Sequence, residues 1–144
     1  MFEEFGWRQY LLPQTTSVFN GNSNLDHTSV ELLSAALIGV LWAVWHLPLF
    51  FPGPNPKKPA HALAAESNDL VPRRFASYVA AMVFVTIVMH KIYKGSGGSI
   101  WTAVIFHGSY NSSFAIFKIE RVGSLFESVT IVAIIFSVAV YAIL

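Results

Sequence analysis

Glu4 and Arg8 stand four residues apart in Glu3-Glu4-Phe5-Gly6-Trp7-Arg8. On a helix, an acid one turn ahead of a base is the favourable order for an ion pair. Glu3 lies about 100° further round such a helix, so Arg8 can neutralise Glu4 and leave Glu3 to act as a base. A second group is His46, within Trp42-Ala43-Val44-Trp45-His46-Leu47-Pro48. A histidine in so apolar a run faces a protein interior or a cavity, and Pro48 removes a backbone donor beside it. The third is His107-Gly108-Ser109-Tyr110-Asn111, where His107 and Asn111 share a helix face. An imidazole N–H and an amide N–H on one face suit a developing oxyanion. Ser109, Ser112 and Ser113 read instead as polar glue between helices. His27 and His61 fall in loops and His90 at the end of a span, so all three are expected at the surface or interface.

These groups need elements to hold them, and the composition says which kind. Hydrophobic residues make up 54% and charged residues 12% of 144, with a mean hydropathy of +0.54. A soluble domain carries about 25% charged residues, so lipid is the expected solvent. The net charge of +1 leaves no basic stripe for nucleic acid. With no cysteine, disulfides, thiolate metal sites and cysteine nucleophiles are excluded.

The expected fold is all-α, a polytopic helical bundle of about four spans preceded by a short motif helix. Spans are expected at 29–51, 75–93, 99–117 and 126–144, each near the roughly 20 residues a bilayer requires. The motif helix, 2–12, is too short to span and is expected to end near Pro13. A polar connection over 15–28 carries Asn20-Gly21-Asn22, a turn signal. The stretch 52–72 holds five of the seven prolines and reads as an irregular loop. Gly95-Ser96-Gly97-Gly98 reads as a tight turn. Lys57, Lys58, Arg73, Arg74, Lys118 and Arg121 fall on one side of this topology and Arg8, Lys91 and Lys94 on the other, which favours a cytoplasmic proline-rich loop. Ala35, Gly39 and Ala43 recur every four residues, a small-residue stripe that admits another helix closely.

Glu3-Glu4-x-x-x-Arg8, an aromatic residue four before His46, and His107-x-x-x-Asn111 occur in one order along the chain. Together they resemble the CPBP family of intramembrane proteases, which includes the CAAX prenyl endopeptidases and bacterial relatives linked to bacteriocin processing and self-immunity. Leu11-Leu12-Pro13 and His46-Leu47-Pro48 also fit, while Trp42 stands where the family often has Phe.

The resemblance implies an endopeptidase acting on a membrane-associated peptide, either prenylated of CAAX type or bacteriocin-like, at a multi-pass prokaryotic plasma membrane. It implies Glu3 as the base that activates water, His46 as the group holding that water, and His107 with Asn111 as oxyanion donors. Arg8 would brace the acidic motif through Glu4. No cofactor is required in that mechanism. Zinc on Glu3, His46 and His107 is the metalloprotease alternative, since one Glu and two His form a legitimate catalytic set. The partners expected are the substrate and the bilayer, with no nucleic acid. Family members carry further membrane helices before the glutamate motif, so 1–144 is expected to be a single protease-like domain truncated at its N-terminus. The competing expectation is a catalytically impaired remnant that acts as a binding or immunity protein.

Overall fold

A computed structural model describes residues 3–22, 24–51 and 68–116. The predicted span 126–144, most of the proline-rich loop, His61 and four of the basic residues used for orientation lie outside them. Helix is the only regular secondary structure among the described residues, with no strand. A π-helical segment Phe5–Leu11 runs into α1, Leu12–Asn22. Then come α2, His27–His46, α3, Val71–Gly95, and α4, Ile100–Ile116. Short 3₁₀ turns, Leu47–Phe50 and Asn68–Leu70, finish α2 and start α3.

Pro13 does not end the first helix as the sequence led us to expect. The helix passes through it to Asn22 because the turn just before is wider than an α-turn. Leu12 N–H donates to Trp7 C=O, five residues back, so the register has already shifted where Pro13 lacks a donor. The polar stretch 15–22, expected as a connection, is also helical. Its side chains satisfy themselves along the helix: the Thr15 and Thr16 hydroxyls donate to Leu12 C=O and Asn22 Nδ2 to Val18 C=O.

At the start of α2, Asp26 accepts from the Ser29 hydroxyl and backbone N–H, and these bonds hold its carboxyl below the ordinary carboxylate range. His27, expected in a loop, is the first residue of α2. α2 ends at His46, two residues before Pro48, and gives way there to the 3₁₀ turn. Pro72 sits in the first turn of α3, where a missing N–H is harmless. Gly97 and Gly98 have φ of 72° and 79°, left-handed values that glycine adopts without strain, and Gly98 N–H returns to Tyr93 C=O at 2.9 Å.

The main packing is α2 against α3. Ala35, Gly39 and Ala43 are all buried in it. A Cβ on Gly39 would stand 2.6 Å from Val83 Cα, so the two backbones touch there. Trp42, Ala43, Tyr78, Ala81, Met82, Met89 and Ala103 make the core where α2, α3 and α4 meet. Two helical stretches, His27–Phe50 and Asn68–Gly95, are long and apolar enough to cross a membrane. Among the described residues, two of the about four expected spans thus have candidates of sufficient length and apolarity; α4 is helical where predicted and shorter, at 17 residues.

Candidate active site

Glu4 and Arg8 are the starting point, because both are fully buried. Burying either charge alone would cost several kcal/mol, and their helical spacing supplies the remedy: Arg8 Nε lies 3.4 Å from Glu4 Oε2. The other Glu4 oxygen, Oε1, accepts from His107 Nδ1 at 2.9 Å. One carboxylate therefore ties the N-terminal segment to α4 across 103 positions. Glu3, half-buried, turns the other way. Its Oε2 accepts from the Trp42 indole Nε1 at 2.9 Å.

Trp42 is the middle of the arrangement. Arg8 Cζ stands 5.3 Å from its ring centroid, within range for a cation–π contact. The His107 ring meets it edge-on at 5.0 Å, and the His46 ring lies 6.0 Å away on the same terms. His46 Nδ1 is 2.8 Å from Trp42 C=O. A carbonyl only accepts, so Nδ1 carries a proton, and in the neutral ring Nε2 keeps its lone pair. Tyr78 on α3 backs the His46 ring at 5.8 Å. Asn111 lies one turn beyond His107 on α4 and is half-buried.

Glu3, Glu4, Arg8, His46 and His107 are thus gathered round one indole. The zinc alternative is not carried by this geometry. Among the described residues, no three His, Asp or Glu side chains form a group that could hold a metal ion.

Two features were missed at the sequence level. Trp42 was read as an aromatic neighbour of His46, whereas it also donates to Glu3. His90, expected at the interface, is buried, with Nε2 3.8 Å from Glu31 Oε2. Glu31 also binds Lys94, so the start of α2 and the end of α3 are joined by charge. The signal for this was a single acid early in one span with a His and a Lys late in the next, which an antiparallel pair brings level.

A family model described as type II CAAX prenyl endopeptidase Rce1-like matches residues 1–113. The chain belongs to that family. The matched stretch takes in every residue gathered at Trp42, together with Asn111. As an Rce1-like chain it falls in a family of membrane proteases, the membrane-protease class expected from the three motifs. No curated protein and no solved structure matches it.

Proposed function

We propose that this Rce1-like chain is a multi-pass intramembrane endopeptidase of the prokaryotic plasma membrane. Its substrate is a membrane-associated peptide with a prenylated, CAAX-type end. The observation that carries the reading is that groups drawn from three separate motifs meet round Trp42. A set of core-packing residues would have no need of two carboxylates, two imidazoles and a guanidinium there.

In this mechanism Glu3 and His46 share the water. His46 Nε2 accepts a hydrogen bond from it, and Glu3 Oε1 removes its proton. The hydroxide oxygen adds to the scissile carbonyl carbon, and the carbonyl oxygen becomes the oxyanion. In its imidazolium form, with Nδ1–H donating to the Glu4 carboxylate, His107 donates from Nε2, and the Asn111 amide donates beside it. Collapse breaks the C–N bond, and the Glu3 carboxylic acid returns its proton to the departing amine. Arg8 keeps the second carboxylate, Glu4, from competing for the water.

The test is cleavage of a fluorogenic farnesylated CAAX peptide by the full chain in lipid vesicles. Glu3→Gln, His46→Ala and His107→Ala should each lower kcat/KM by at least about 10². If all three keep the wild-type rate, the chain does not act by this chemistry, and the binding or immunity role takes its place.

A further inference from the structure

Within the proposed site the least expected bond is the one from Trp42 to Glu3. A general base needs one oxygen aimed at water, and a carboxylate on a freely turning side chain presents either oxygen in many directions. Here the indole Nε1 takes Oε2 at 2.9 Å, which leaves Oε1 to receive the proton. The indole is itself immobilised. Trp42 is 2% exposed, the Arg8 guanidinium and the His107 ring lie against it, and α2 is locked to α3 three residues earlier at Gly39. The same residue's carbonyl selects the His46 tautomer. Both groups assigned to the water are therefore referenced to one rigid side chain and its own backbone.

We propose that Trp42 is a positioning residue for the hydrolysis, whose indole N–H sets the orientation of the Glu3 carboxylate. The proposal rests on the proteolytic reading above and adds a part that reading does not require. A donor on a carboxylate also makes it a weaker base, so the bond is of use only if orientation gains more than basicity loses. Misplacing a catalytic group by about 1 Å costs on the order of 10² in rate, whereas the rate feels only the Brønsted fraction of the basicity that one charge-assisted hydrogen bond removes.

Two measurements on the 144-residue chain test this. The first needs no activity: with indole-¹⁵N label, the Trp42 Nε1–H resonance should move on Glu3→Ala, and an unmoved resonance overturns the proposal. The second replaces Trp42 by β-(3-benzothienyl)alanine, which keeps the ring and its contacts with Arg8 and His107 and lacks the donor. We expect kcat to fall about tenfold with KM within about twofold; the substitution 7-azatryptophan, which retains an N–H, should restore most of it. An unchanged kcat, or a loss entirely in KM, sinks the positioning role. A wild-type protein that cleaves nothing, while the indole resonance still answers to Glu3→Ala, defeats the proteolytic reading and the positioning role with it, yet leaves the bond established.

Discussion

Arg8 is fully buried, and its charge is answered by one carboxylate and one aromatic face. Arg8→Met would leave Glu4 buried with only His107 for company, and breaking a buried pair from one side costs about 3–5 kcal/mol. We expect a matching loss in thermal or denaturant unfolding of the detergent-solubilised protein. Arg8→Lys should recover part of the stability, because it restores the charge without the planar group that lies on Trp42. The Glu4–Arg8 pair was legible in the sequence, since spacing of four settles it. The Glu4–His107 bond was not. It joins residues 103 positions apart, and helical periodicity carries no information about which helix a face will meet. The same limit hid the Trp42–Glu3 bond: residue type announced an aromatic ring, and only the fold placed an acid on its nitrogen.

At the scale of elements, the small-residue stripe on α2 was the most informative pattern. Gly39 admits the α3 backbone so closely that an added Cβ meets Val83 Cα at 2.6 Å and Met82 C=O at 2.9 Å. Neither neighbour is the tip of a flexible side chain, so the helices must separate. Gly39→Ala should destabilise by about 1–3 kcal/mol, and it should lower activity as well, because Trp42 lies three residues on. Gly21→Ala, which meets nothing within 4 Å, is the control. Pro13 taught the opposite lesson. Proline is a helix terminator when the turn ahead of it is α-helical, but the π-turn through Phe5–Leu11 changes that premise, and hydrophobic periodicity does not tell a single π-turn from an α-turn. Pro13→Ala should therefore be tolerated, with circular dichroism and the unfolding midpoint close to those of the wild type.

For the molecule as a whole, composition alone indicated lipid, and the outward faces agree with it. Val44 and Trp45 on α2 and Trp101 and Ile105 on α4 are exposed, while the charged groups of the site are enclosed. A lysine at a lipid-facing position near a helix centre costs about 2.5–3.5 kcal/mol. Ile105→Lys should accordingly reduce the fraction of protein that resists alkaline carbonate extraction, and Ile105→Leu should not; equal fractions for the two would place Ile105 in water. Helix content, the position of α4 and the membrane class of the chain were all readable from apolar run lengths. The extent of the first helix was not, because Thr15, Thr16 and Asn22 look like loop residues until their side chains fold back on the carbonyls behind them.

The Glu4–His107 bond also sets an order of events at the ribosome. Glu4 emerges 103 residues before its partner, which at about 5–20 residues per second is a delay of roughly 5–20 s. Through that interval the nascent chain holds its acids without the histidine that completes the cluster. On the proposed mechanism it has no oxyanion donors until α4 is made. On that mechanism hydrolysis is a property of the packed bundle alone, available only once α4 has brought His107 to Glu4.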